Sequence, residues 1–302
     1  MGDSVKIPIV VVNYNDFSTA DSFLKRFERN LGDILELVFV DNCSTDGSFE
    51  KLNKKYGHLG TFLKSDRNAG YGSGNNIGLR YVKEHLKAAR VIISNPDIEV
   101  DRDVIQKLSA YMDNYPDVKV IAPRMINADG SKAVSAWRLP GFFRETFSSL
   151  YIVNHFFKLD KDAYSHEELG ENVSIVDAVN GSFFMADMKA FDEVGFFCED
   201  TFLYCEENIV AYRMKKAGYR EMLANDLSYV HIHNATIGKI YSKTVRRYRL
   251  LCDSRKIYFR KCLNIGFVGM AFFEFIAFIG MAERRMGSIR ITRGEKGKHD
   301  KR

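Results

Sequence analysis

Carboxylates and amides recur at the ends of apolar runs in the first hundred residues, where they could bind a polar ligand or hold a cation. "IPIVVVN" (7–13) closes on Asn13, "LELVFVDN" (35–42) on Asp41 and Asn42, and "RVIISNPD" (90–97) on Asn95 and Asp97. Between the last two runs lies "RNAGYGSGNNIGLRY" (67–81), with four glycines and three asparagines ahead of a helical stretch. Glycine lets a backbone approach a ligand closely, and free N–H groups at a helix start attract anions. Asn68, Asn75 and Asn76 suit ligand oxygens, and equally suit a turn that only fixes its own backbone. The loop carries no dinucleotide fingerprint: G-x-G-x-x-G fails from Gly70 and from Gly72, and the first turn reads "NYNDFS". No Gly-Lys-Ser/Thr completes a Walker loop. A nicotinamide oxidoreductase therefore lacks the feature it would need.

Elements that position these residues can be read from the same runs. Continuous β-branched stretches are the pattern of strands buried on both faces. A helical stretch follows the first, from Ser18 to about Asn30, and Ser44 and Asp46 offer start signals for a second. A short strand near Gly60–Lys64 leads into the glycine loop and a helix to about Lys87. This alternation predicts an α/β fold with a parallel sheet and right-handed crossovers. Ligands of such sheets bind beyond the carboxyl ends of the strands. Asn13, Asp41, Asn42, Asn95 and Asp97 should thus converge on one edge.

The ordered series "VVVNYN", "VDNCSTDGS", "RNAGYGSGNNIG" and "NPD" resembles the nucleotide-binding half of a family-2 glycosyltransferase with a GT-A fold, and the likeness covers about residues 7–236. The resemblance implies a mostly parallel central sheet flanked by helices. It also implies that Asp41 contacts the nucleobase, that Asn13 and Asn42 line its pocket, and that the loop of Asn68, Gly70 and Asn75 covers a nucleotide-sugar donor. The D-x-D motif of such enzymes reads Asn95-Pro96-Asp97 here. Asp97 offers a carboxylate to a divalent cation (Mn²⁺ or Mg²⁺), whereas the Asn95 amide suits ribose better than metal.

The segment "VNGSFFMADMKAFDEVGFFCEDTFLYCEENIVAYRMKKAGYR" (179–220) resembles the acceptor-side half of the same family. Gly181 falls in its small-residue turn and is expected on the acceptor side. The acidic pair is Glu206-Glu207, with Glu where the family more often has Asp. A carboxylate can take the proton of an acceptor hydroxyl, and a neighbouring carboxylate raises its pKa towards neutrality. Glu207 is the expected base and Glu206 its support, although two acids opening a helix also suit its positive end. His231 and His233 fall on one side of an extended segment, and the resemblance implies that they reach the metal or diphosphate. Trp137 is a candidate platform for the acceptor sugar and equally a packed core residue.

Together these imply an inverting glycosyltransferase that uses a UDP- or dTDP-linked sugar and a glycan or lipid-linked acceptor, as in polysaccharide-building and rhamnosyl-transferring enzymes. Asn95 and Glu207 depart from the commoner residues, so a catalytically inactive nucleotide-sugar or glycan-binding protein is the alternative.

The chain has 302 residues, 46% hydrophobic and 27% charged, enough for a sizeable core. Five widely spaced cysteines without CxxC point away from zinc and disulfides and towards a reducing compartment. No signal peptide is apparent, which suggests a cytoplasmic location. Residues 239–302 hold 17 Lys/Arg against 5 Asp/Glu. We therefore expect a GT-A domain over 1–238, with halves at about 1–124 and 125–238, and a basic helical extension over 239–302. Apolar residues 262–282 sit between basic pairs, but Glu274 near the centre would cost about 2.5–3.5 kcal/mol in a bilayer. Docking on the inner face of the cell membrane ranks first, a homo-oligomer contact second and a span third. Nucleic acid is not an expected partner, and "RGEKGKHDKR" at the end is expected to be disordered.

Overall fold

The computed structural model describes residues 6–159, 162–232 and 244–299, with side chains undescribed at His166, at Thr244 and from 287 onward. Two compact units emerge: Met1–Leu139 with Ala163–Thr236, and Pro140–Asp162 with Ile237–Arg302. The second unit thus takes in residues 140–162 in addition to the extension expected from 239 onward.

In the first unit, strands β1 (Ile7–Asn13), β2 (Leu35–Asp41), β3 (Gly60–Lys64) and β4 (Arg90–Ser94) pair in the order β3-β2-β1-β4, all parallel. Helices α1 (Phe17–Asn30), α2 (Ser48–Tyr56) and α3 (Tyr71–Tyr81) are the crossovers. Alternate residues of each strand feed different cores. Ile9 and Val11 pack with Phe23 and Leu52, whereas Val10 and Val40 pack with Leu79. That double burial is why the strands read as unbroken apolar runs.

The rest of the sheet is mixed. After β5 (Ile98–Glu99), α4 (Arg102–Asn114), β6 (Val118–Asn127), β7 (Ala136–Trp137), β8 (Val173–Val176) and β9 (Ala178–Val179) comes β10 (Phe183–Asp187), which runs antiparallel between β4 and β6. β11 (Arg220–His231) lies parallel to β6 and antiparallel to β5. The sheet is fully parallel only through its first four strands. Helices α7 (Met188–Glu193) and α8 (Glu206–Lys216) pack through Phe191, Val210 and Met214 on the α3 face.

The second unit is helical: α5 (Phe142–Ser148), α6 (Tyr151–Phe157), α9 (Thr244–Lys261) and α10 (Phe267–His299). Its polar centre is the buried Arg255, ion-paired with Glu145 and donating to the Ser148 and Ser149 hydroxyls at 2.7 and 2.8 Å. On α9, Tyr248, Cys252, Ser254, Arg255, Tyr258 and Phe259 are buried. α10 starts at Phe267, because Asn264 adopts a left-handed turn (φ 53°) after Cys262. It continues to His299, where an unstructured end was expected. No described helix is long and apolar enough to cross a membrane.

Candidate functional site

Parallel pairing aligns Asn13 with Asp41 and Val11 with Ser94, so the tips of β1, β2 and β4 share one edge. β10 runs back along β4 with Phe183 opposite Ser94, which brings the turn Asn180–Ser182 to that same edge. β11 adds its own end there, with His231 opposite Ile98.

Asp41 is fully buried and both of its oxygens are engaged. One accepts from the Ser44 backbone N–H at 2.7 Å, the other from the Asn13 amide at 3.1 Å. Asn42 donates to the Asn68 side chain and the Gly70 carbonyl, at 3.1 and 3.0 Å. Asn75 donates to the Tyr71 carbonyl at 3.0 Å. The amide oxygens of Asn13, Asn42 and Asn75 are buried and accept nothing from the protein. Buried acceptors of that kind need donors from a ligand or water.

The fold itself demands the glycines of the loop. Gly70 has φ +100°, and a Cβ there would sit 2.7 Å from the Phe202 Cα. Added Cβ atoms at Gly72 and Gly74 would lie 2.9 Å from Phe197 and Val12 respectively. The loop is clamped to the segment before α8, where Tyr71 N–H donates to the Phe202 carbonyl at 3.0 Å. Asn76 joins that clamp through Phe197 and Glu199. Tyr204 and Cys205 then enter α8 with positive φ, 77° and 64°. Non-glycine residues rarely adopt such angles, and strain of this kind gathers at functional turns.

The turn Asn180–Ser182 is the hub of the edge. Its Ser182 carbonyl accepts the Asn95 N–H at 2.8 Å. Its Gly181 carbonyl accepts the Tyr71 hydroxyl at 2.7 Å, and Gly181 lies against Glu207, where a Cβ would fall 2.6 Å from the carboxylate oxygen. Ser182 and Tyr229 share a hydrogen bond of 2.6 Å. Beside them, Asp97 and His231 meet at 3.1 Å, both largely buried. Burial raises the Tyr229 phenol pKa, and the charges of Asp97 and Glu207 add to that rise. Both carboxylates thus lie within electrostatic reach of one hydroxyl.

Glu206 is buried, and one of its oxygens lacks a partner. Burial first and the Glu207 charge second push it up to about 8. Burial also raises Glu207, against backbone hydrogen bonds from its own residue and Gly181 that favour the ionised form. Both carboxyls are thus held above the ordinary carboxylate range, and repulsion between them favours a single proton on the pair.

Asp97 and His231 would fit a divalent cation that takes its other ligands from diphosphate oxygens and water. Among the described residues no group of three or more His, Cys, Asp or Glu could hold a metal unaided. His233 lies outside the described residues. Trp137, on β7, donates through its indole N–H to the Asn208 side chain at 2.7 Å, one residue beyond Glu207.

The expected donor residues, Asp97, His231, Gly181 and Glu207 therefore share one edge. Sequence reasoning missed Tyr71, Ser182 and Tyr229 there, and Glu221 deeper in the sheet, opposite Val120. Glu221 is buried, accepts the Val179 N–H at 3.0 Å and is pushed by burial up to about 8, with Asp177 and Glu207 contributing. The Ser next to Gly181 in "VNGS" was the available signal for Ser182; a lone Glu opening an apolar run gave none for Glu221.

The model of the family described as glycosyl transferase family 2 matches residues 9–167. The chain is 26% identical over 210 residues to the low-salt glycan biosynthesis hexosyltransferase Agl10 of Haloferax volcanii, covering 70% of this chain and 62% of that protein. It is 25% identical over 234 residues to an N-acetylglucosaminyl-diphospho-decaprenol L-rhamnosyltransferase of Mycobacterium tuberculosis, covering 74% and 75%. Among solved structures, GalNAc-T7 with UDP, GalNAc and Mn²⁺ superposes with a TM-score of 0.58 at 18% identity, over 77% of this chain and 45% of that one. The mannosyltransferase PcManGT of Pyrobaculum calidifontis, with GDP-Man and Mn²⁺, gives 0.54 at 16%, over 94% and 75%. These two share the fold.

Proposed function

This chain belongs to glycosyl transferase family 2, and we propose that it is an inverting glycosyltransferase. It moves a hexose or deoxyhexose from a UDP- or dTDP-linked donor to a glycan or lipid-linked acceptor in cell-surface polysaccharide synthesis. One observation carries the reading: Glu207 lies against Gly181, and the Asn95 N–H, two residues before Asp97, donates to the carbonyl of the next residue, Ser182. A cation site for the leaving group and a base for the incoming hydroxyl would thereby face one cleft. The names of the hexosyl- and rhamnosyl-transferring relatives support the class of sugar.

In this mechanism Asn13 and Asn42 hold the base end of the nucleotide, with Asp41 anchoring the Asn13 amide from beneath, and Asn68, Gly70 and Asn75 line its ribose side with Asn95. Asp97 and His231 would hold the divalent cation, whose charge offsets that of the diphosphate. Glu207 takes the proton of the acceptor hydroxyl as that oxygen bonds to the anomeric carbon. The bond from that carbon to the diphosphate oxygen breaks on the opposite face, so the centre inverts. Glu206, protonated, keeps a single negative charge on the pair. Trp137 offers its ring to the acceptor sugar, steadied by Asn208. The reaction takes place on the cytoplasmic side, at the inner face of the cell membrane, where lipid-linked acceptors sit.

The test is nucleoside diphosphate release from a panel of UDP- and dTDP-sugars with Mn²⁺ and lipid-linked glycan acceptors. Donor-specific release that disappears in Glu207→Gln supports the reading. Tight nucleotide binding without turnover of any donor would instead favour a non-catalytic sugar-nucleotide binder.

A further inference from the structure

The helical unit carries most of the exposed apolar surface. Of the fifteen exposed large hydrophobic residues among those described, twelve belong to it. They come from two distant stretches of chain. Along α10, Phe275 and Phe278 are 62% and 69% exposed, on one stripe with Val268 and Met286. On α5 and α6, Phe143, Phe156 and Phe157 are 66%, 74% and 73% exposed. Monomeric soluble proteins rarely display so many aromatic rings together.

The two stretches form one built surface. Phe147 of α5 meets Phe272 of α10 edge to face at 6.1 Å. Gly280 lets the α10 backbone press on Ser149, where any Cβ would collide. Arg284 donates to the Ser149 carbonyl at 2.7 Å, and Tyr248 bridges the Ser149 and Ala277 carbonyls at 3.2 and 2.9 Å. Arg255 and Glu145 close the same junction from α9. Buried polar contacts thus lock α5, α6, α9 and α10 while leaving their rings outside.

We propose that this composite face of α5, α6 and α10 docks the protein, lying in the plane of the interface, on an anionic lipid bilayer. The placement of the reaction at the membrane in the preceding section is what it deepens, and it rests on that reading. Charge selects the occupant. Exposed Arg260 and Lys261 precede the α10 stripe and exposed Arg285 follows it. Arg249 and Lys256 border Phe278 across a groove that Asp253 and Glu274 also line. A second copy docked face to face would set this basic surface against itself, whereas anionic headgroups neutralise it. Charged Glu274, Glu283 and Arg284 keep α10 from being a span, and an interfacial helix tolerates them on its flanks.

The experiment is co-sedimentation of the full chain, without substrates, with phosphatidylglycerol–phosphatidylcholine vesicles and with pure phosphatidylcholine vesicles. Two double variants are compared, Phe275→Glu with Phe278→Glu on α10 and Phe156→Glu with Phe157→Glu on α6; serine versions serve if either glutamate pair lowers the melting temperature. The expected result is binding to anionic vesicles, reduced about tenfold by each pair and weakened on the neutral lipid. Either pair binding as the parent does, or a parent chain that stays in the supernatant, would overturn the proposal. So would a solution dimer that the α10 pair dissociates without any vesicle binding. Turnover on a water-soluble acceptor separates the two readings: lost docking with intact turnover sinks this inference alone, and docking without turnover of any donor leaves it standing while sinking the transferase.

Discussion

Tyr71 donates its hydroxyl hydrogen to the carbonyl of Gly181 at 2.7 Å, across 110 residues of sequence. The contact joins the glycine loop to the turn against which Glu207 rests. Loop, turn and carboxylate are thereby fixed relative to one another, as oriented reacting groups require.

Gly181→Ala should therefore damage catalysis by displacing the base. Its new methyl would stand 2.6 Å from the Glu207 oxygen, and a shift of about 1 Å in such a group can cost about 100-fold in rate. We expect kcat to fall about 10–100-fold with donor affinity held within about twofold. Equal kcat in the variant would show that Glu207 does not need this seat.

Glu207→Gln preserves shape and removes the base, so transfer should fall about 100- to 10,000-fold while nucleotide still binds. In the parent chain the rate should rise with pH as Glu207 loses its proton, since burial holds its pKa above the ordinary carboxylate value. A variant with the parent's turnover would take Glu207 out of the mechanism.

The convergence of the strand tips was legible because each tip is a local pattern, an apolar run closing on Asn or Asp. Parallel pairing then did what that pattern implies. The hub at Asn180–Ser182 was hidden because its meaning is long-range: Gly181 is small on account of Glu207, and Gly70 on account of Phe202. No window of sequence shows either neighbour. The antiparallel insertion of β10 was equally hidden, since "FFMAD" reads the same in either direction of pairing. Nothing in residues 142–157 tells which of their aromatic rings the neighbouring helices leave uncovered, and the structure leaves Phe143, Phe156 and Phe157 exposed.

Gly70→Ala tests the clamp between the glycine loop and the segment before α8. A φ of +100° and a collision with Phe202 leave alanine no relaxed position. Denaturant unfolding should show a loss of about 1–3 kcal/mol. An unchanged midpoint would mean that the loop is not held against Phe202.

Asp97→Asn removes the carboxylate from the proposed cation pair and keeps its volume. The parent chain should show a thermal shift with UDP or dTDP that grows when Mn²⁺ is added, because ligands that bind the folded state stabilise it by mass action. The variant should keep the nucleotide shift and lose the Mn²⁺ increment. An increment of the same size in both would locate the cation elsewhere.

Glu221 offers a test of the buried charge network through stability. Its pKa, about 8 when folded against an ordinary 4.5, means that the native state keeps a proton which the unfolded chain has released between those values. The stabilisation is complete below about 4.5 and is lost as pH rises to about 8, at about 1.4 kcal/mol per pH unit for this one group. Glu221→Gln can still accept the Val179 N–H but cannot titrate. Chemical unfolding between pH 5 and about 8 should therefore show a shallower decline in the variant, by about 1.4 kcal/mol per unit. Identical slopes would mean that Glu221 is ionised in the folded protein.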